Sequence, residues 1–166
     1  MIYPLDFNYP FRFETFLLQW QNMENNGDLV FKEIFQSMDE AVYIADPNTY
    51  EILYANDALE NLFDKKLIGT MCYKSLQGRN SPCSFCTNDK LFGKDPKTQI
   101  KWEFHNKKID RWFNILDKVI TWNDGRKVRF EMAVDITDQK VKEAQYKQSQ
   151  EQLKSIFNNL KDSVFV

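Results

Sequence analysis

The stretch Lys127-Val-Arg-Phe-Glu-Met-Ala-Val-Asp-Ile-Thr-Asp-Gln139 decides the fold. Val128, Phe130, Met132, Val134 and Ile136 fall on one face, and Lys127, Arg129, Glu131, Ala133 and Asp135 on the other. This period of two predicts a strand with one buried and one wetter face. The apolar set is expected to face the core. At Asp135-Ile136-Thr137-Asp138 the alternation stops, residue types that cap helices take over, and a polar helical run follows. A strand that feeds a long polar helix suits a module that hands on what its sheet senses.

Working upstream, Asn123-Asp124-Gly125 joins this strand to the one before it, a strong hairpin signal. The spacing predicts three strands at about 98–106, 110–122 and 127–136. An earlier hairpin runs through Ala41–Ala45, a turn at Asp46-Pro47-Asn48, and Glu51–Ala55. Asn56 then caps a helix carrying Ala58, Leu59, Leu62 and Phe63. Residues 64–97, rich in Gly, Asn, Ser and Pro, read as short helices and loops. Two strands, several short helices and three strands make an α+β order. Ahead of the sheet, Phe13, Phe16, Leu17, Trp20 and Met23 recur at helical spacing. Asn25-Asn26-Gly27 closes that helix. A second helix, capped by Asp28, carries Val30, Phe31, Ile34, Phe35 and Met38.

The ending Asp135-Ile-Thr-Asp-Gln139 resembles the C-terminal end of PAS sensor domains. The segment Met38-Asp-Glu-Ala-Val-Tyr-Ile-Ala-Asp-Pro-Asn-Thr-Tyr-Glu-Ile-Leu-Tyr-Ala-Asn56 is similar to their opening hairpin and first helix start. The resemblance covers about residues 34–154 and lies in the order of the features together. It implies a five-stranded antiparallel sheet with short helices on one face, flanked by N-terminal helices and a C-terminal signalling helix. It also implies a sensor module within a larger signal-transduction protein, working as a homodimer. Output domains such as a histidine kinase or a diguanylate cyclase would follow in the same polypeptide. Asp135, Ile136 and Thr137 would transfer the signal into the helix.

The C-terminal end repeats the start. Lys154-Ser-Ile-Phe-Asn-Asn-Leu-Lys-Asp-Ser-Val-Phe-Val166 echoes Lys32-Glu-Ile-Phe-Gln-Ser-Met-Asp-Glu-Ala-Val-Tyr-Ile44 at an offset of 122 residues. A second PAS-like unit is therefore expected to begin where the sequence stops. The expected parts are N-terminal amphipathic helices over 1–38, the sensor domain over 39–137, the signalling helix over 138–154, and the start of the second unit over 155–166. In the polar helix Tyr146, Leu153 and Leu160 recur every seven residues, as do Lys142, Ser149 and Ile156. That is the seam of a marginal parallel coiled coil, alongside the plainer reading of a solvated linker.

Composition narrows the function. The chain has 166 residues, 43% hydrophobic and 28% charged, as a globular domain has. A net charge of −2 offers no electrostatic footprint for nucleic acid. No apolar run approaches the ~18 residues of a membrane span, and no signal-peptide layout opens the chain. A cytoplasmic location is expected, in which the three cysteines are thiols or metal ligands. There is no phosphate loop and no Gly-x-Ser-x-Gly, and the single histidine has no nucleophile to serve. The chain is expected not to be catalytic.

Chemistry concentrates in Cys72-x10-Cys83-x2-Cys86. Two sulfurs spaced by two residues, with a third thiol upstream, suit zinc or an iron–sulfur cluster, with Asp89, His105 or water as a fourth ligand. Cys83 and Cys86 also suit a reversible disulfide, with Arg79 or a helix start activating a thiol. Inert packing of all three is the third reading. Haem is disfavoured because alternation turns His105 away from the core. The flavin-binding light-oxygen-voltage subfamily has a similar Gly-Arg-Asn stretch with a reactive cysteine. Here Ser81-Pro82 separates Gly78-Arg79-Asn80 from Cys83, and the spacing departs. For a small-molecule pocket the candidates are Trp102, Phe104, Asn114, Leu116, Phe130 and Met132, with Asn114 as the polar anchor; a filled core is the alternative. The functional expectation is a sensor of a small ligand, a metal or a redox change. A ligand-free interaction or dimerisation module and a cysteine-loop metal or redox domain are the alternatives.

Overall fold

The computed structural model describes residues 27–164, with side chains at 30 and 32–157. The chain divides into two units, 1–37 and 38–166. In the first, α1 (Gly27–Gln36) forms as its apolar spacing predicts, and Phe35 on it is buried. The helix expected over 13–23 lies outside the described residues.

The second unit is built on one antiparallel sheet of five strands: β1 (Ala41–Ala45), β2 (Ile52–Ala55), β3 (Gln99–Asn106), β4 (Arg111–Thr121) and β5 (Lys127–Asp135). Their order across the sheet is β2-β1-β5-β4-β3, so the last strand threads between the first and fourth. The turns form for local reasons. Between β1 and β2, Asp46 Oδ1 accepts from the amides of Asn48 at 2.8 Å and Thr49 at 3.0 Å. Between β4 and β5, Gly125 takes φ +84°, a conformation other residues adopt only under strain. After β2, fully buried Asn56 accepts from the amides of Leu59 at 3.1 Å and Val42 at 2.9 Å. It thus caps α2 (Asp57–Phe63) and ties that helix to the sheet.

Short helices α2, α3 (Cys72–Gln77) and α4 (Asn88–Phe92) complete the unit before β3. Ala41, Tyr43 and Ala45 of β1 form one core cluster with Leu59 of α2 and Cys72 and Leu76 of α3. The odd-numbered residues of β1 therefore face the helices. Residues directly opposite on paired strands share a face. Tyr43 is opposite Glu131, Glu131 opposite Asp117, Ala133 opposite Ile115, and Ile115 opposite Trp102.

This register corrects the sequence reading of β5. Arg129, Glu131 and Ala133, expected on the wetter side, face the helices. Val128, Phe130, Met132 and Val134 occupy the opposite face. The centre of the sheet is buried on both sides: Val42, Ile44 and Val128 are fully buried, and Arg129 is 5% exposed. Charged residues are tolerated there because they are paired with one another.

The last element, α5 (Thr137–Val164), is one continuous helix that crosses the boundary expected at 154/155. Among the described residues no helix is long and apolar enough to cross a membrane.

Candidate functional site

Between the sheet and the helices lies a cavity of about 40 Å³. Its wall includes Tyr43, Cys72, Cys83, Cys86, Trp102 and Arg129. A second cavity of about 30 Å³ lies towards α2 and shares with the first a wall that contains Tyr43, Leu76, Phe104 and Glu131. Space of this size admits a few waters or a very small molecule.

Arg129 dominates the chemistry. Its side chain is 6% exposed, and its guanidinium is held from several sides. Nη2 donates to the Tyr43 hydroxyl at 2.8 Å, and Nη1 to Asn88 Oδ1 at 3.2 Å. Nη1 also donates to Cys86 Sγ at 3.3 Å, and Nη2 makes a longer contact with Cys72 Sγ at 3.8 Å. Two carboxylates flank it without direct hydrogen bonds: Asp117 Oδ1 is 3.7 Å from Nε and Glu131 Oε2 is 3.7 Å from Nη2. Glu131 Oε2 accepts from the Tyr43 hydroxyl at 2.7 Å, and Asp117 Oδ2 from Trp102 Nε1 at 2.8 Å. Buried Arg129 Nε, Asp117 Oδ1 and Thr87 Oγ1 have no hydrogen-bond partner within the protein.

Burial governs protonation here. Desolvation and the neighbouring Asp117 charge push the Glu131 carboxyl up to about 8, although Arg129 pulls the other way. Burial likewise holds the Tyr43 hydroxyl well above its ordinary range and takes the Cys72 thiol to about 11. The Cys83 thiol is also raised by burial. Burial opposes charge on Arg129, but the acceptors packed around it outweigh that, and the guanidinium stays charged.

The candidates from the sequence fare differently. All three cysteines line the first cavity. Among the described residues, however, no three His, Cys, Asp or Glu side chains are arranged to hold a metal ion. Instead, two of the three sulfurs face the Arg129 guanidinium. The six-residue aromatic pocket is corrected. Trp102 and Phe104 line the cavity, whereas Asn114, Leu116, Phe130 and Met132 pair along the opposite face. The physical reason is parity: even-numbered residues of β3 lie opposite odd-numbered ones of β4. His105 stacks on Trp112 at 4.8 Å and bonds Asp110 at 2.8 Å. Trp112 sits with Asn114 on the face away from the cavity. Arg129, Glu131 and Asp117 were missed; their signal was alternating charge on a central strand beside an acid in mid-β4.

The expected signal-transfer residues form a tight junction. Thr137 Oγ1 accepts from the Trp112 amide at 2.9 Å, and the Ile136 amide donates to the Trp112 carbonyl at 2.8 Å. Asp135 accepts from the Thr137 amide at 2.8 Å and from Arg111 at 2.8 Å. One turn into α5, Lys140 pairs with Glu103 of β3 at 2.7 Å. The first turn of α5 is thereby pinned to β3 and β4.

A comparison with curated proteins finds no match. An RNA-binding light-oxygen-voltage receptor superposes with a TM-score of 0.53 at 17% identity, covering 96% of this chain and 42% of that one. At that identity the likeness is one of fold. The PAS domain of nitrogen regulation protein NR(II) from Vibrio parahaemolyticus is also similar, at 21% identity and a TM-score of 0.46, over 61% of this chain and 94% of that one. A PAS domain from Colwellia psychrerythraea gives 16% identity and a TM-score of 0.49, over 64% of this chain and 93% of that one. Residues 30–97 match the family model of the PAS domain. With that match and this sheet, the chain carries a PAS sensor domain.

Proposed function

We propose that this chain is the sensing part of a larger signal-transduction protein, in which a small polar molecule enters the cavity and β5 carries the change to α5. One observation supports this above the others. Arg129 and Glu131 line the cavity from β5, and the same strand ends at Asp135, which closes the junction to α5. A group that draws on Arg129 Nε and Thr87 Oγ1 pulls on β5 directly. A shift of β5 then moves the bonds that hold Ile136 and Thr137 to Trp112.

The size of the cavity favours a ligand of a few heavy atoms over a haem or a flavin, which need several hundred Å³. The guanidinium beside the thiols favours such a ligand over a metal ion, since it already places positive charge among the sulfurs. The exposed apolar residues of α5 support a homodimer. An output domain beyond α5 and a cytoplasmic location, in keeping with three free thiols, complete the reading.

The test pairs a screen of small polar metabolites with hydrogen exchange read peptide by peptide. A true ligand slows exchange around Tyr43 and Arg129 and alters it across 135–140. If no compound that binds the cavity changes exchange at that junction, the signalling reading fails. A ligand-free interaction module then takes its place.

A further inference from the structure

The loop that carries Cys83 and Cys86 forms part of the cavity wall and makes a tight turn there. The Cys86 amide donates to the Cys83 carbonyl at 3.1 Å, with Ser84 and Phe85 at the turn's centre. A turn closed in this way brings its end Cα atoms within about 7 Å, the reach of a disulfide. Both cysteines are half-buried and line the cavity, while Cys72 is buried on α3. Phe85 rests on Phe104 at 4.8 Å, which holds the turn against β3. The two sulfurs differ: among the described residues Cys86 Sγ takes a charged N–H from Arg129, whereas Arg79 and Arg129 act on Cys83 only as nearby charges.

We propose that Cys83 and Cys86 are a reversible oxidation site in the cavity wall, closed to a disulfide by a hydroperoxide. Cys86 Sγ attacks the distal peroxide oxygen, with Arg129 placing positive charge beside it. The O–O bond breaks, the alcohol or water leaves with the thiol proton, and Cys86 becomes a sulfenic acid. Cys83 Sγ then attacks that sulfur. An S–S bond forms, the S–O bond breaks, and water leaves with the Cys83 proton. Two thiols give up two electrons in all, and the peroxide is reduced to water and the alcohol. Burial keeps Cys83 a thiol until that second step. Drawn towards Cys83, Cys86 Sγ turns away from Arg129 and frees one Nη1 N–H for a ligand, the other staying on Asn88. The oxidation site stands apart from the ligand reading, and only the use of the freed Arg129 N–H by a ligand rests on that reading.

The test treats the reduced 166-residue chain with hydrogen peroxide, blocks remaining thiols with an alkylating agent, and maps the peptides. The expected product is lighter by two hydrogens, links Cys83 to Cys86, carries one alkyl group on Cys72, and reverts with dithiothreitol. Cys72→Ser protein behaves in the same way. A link to Cys72, a link between chains, or no reversible loss of mass overturns the proposal. In Cys83→Ser protein a sulfenic-acid trap labels Cys86. Equal or faster labelling of Cys83 in Cys86→Ser protein overturns the assigned order. None of these readouts involves a small-molecule ligand, so this proposal and the ligand reading fail separately.

Discussion

Asp117 and Glu131 lie directly opposite each other on β4 and β5, both on the buried face that carries Arg129. Two carboxylates so placed repel each other unless one keeps its proton. Glu131 does so, with its carboxyl raised to about 8 by burial and by Asp117. It therefore binds its proton more tightly in the folded protein than in the unfolded chain. The native state is favoured fully below the ordinary carboxylate pKa and loses that advantage as pH rises to about 8. Urea unfolding of the intact chain should show a midpoint that falls steadily from about pH 5 to about pH 8. Glu131→Gln, which copies the neutral form, should flatten that slope. An unchanged slope in the variant would place the titration elsewhere.

Arg129 should be the costliest single position in the sheet. It is the cation that balances Asp117, and Asp117 is fully buried. Arg129→Met leaves an uncompensated buried charge, at a cost of about 3–5 kcal/mol. Adding Asp117→Leu removes that charge and should recover much of the loss, because a buried ion pair exchanged for apolar groups is often neutral. The measurement is a double-mutant cycle by denaturant unfolding. Simple additivity of the two changes would mean that the residues do not act as a pair.

The alternation of 127–136 made β5 legible, and the Asn-Asp-Gly signal fixed its hairpin. Which face turned inward was not legible. Hydrophobicity marks the inner face only when the other face meets water, and both faces of β5 are buried at its centre. The cysteine spacing put three sulfurs along one cavity wall, but among the described residues not as a set arranged to hold a metal ion. It could not show that an arginine 43 residues beyond Cys86 would sit between them. The aromatic pocket failed for a different reason. Parity across a hairpin depends on its connection, and the turn at 107–110 pairs Trp102 with Ile115 rather than with Asn114 or Leu116.

The junction from β5 to α5 should respond to loss of one hydroxyl. Thr137→Val keeps the shape but removes the acceptor for the part-buried Trp112 amide. The expected cost is about 1 kcal/mol or somewhat more, since an N–H is left without its partner. Read by hydrogen exchange, the Trp112 amide should exchange about five-fold or more faster, and the first turn of α5 should fray. Protection elsewhere in β1 and β2 should hold. If β1 loosens equally, the change acts on global stability and the junction is no local coupling point.

Along α5, Tyr146, Leu153, Ile156 and Phe157 are between 49% and 69% exposed. Tyr146 and Leu153 are seven residues apart, and Lys142, Ser149 and Ile156 repeat at the same interval. Side chains at that spacing return to one stripe of a helix, where a second copy can cover them in parallel. The stripe is thin and partly polar, so the helix pair it supports is weak. A weak pair is the kind of equilibrium that a modest change at the cavity can bias. The 166-residue chain should therefore dimerise reversibly, with its average mass by sedimentation equilibrium rising with concentration. Leu153→Glu puts charge in the middle of the stripe without touching the sheet. It should hold the chain monomeric while the thermal unfolding of the sheet stays unchanged. Dimers that survive Leu153→Glu would show that the copies meet through another surface.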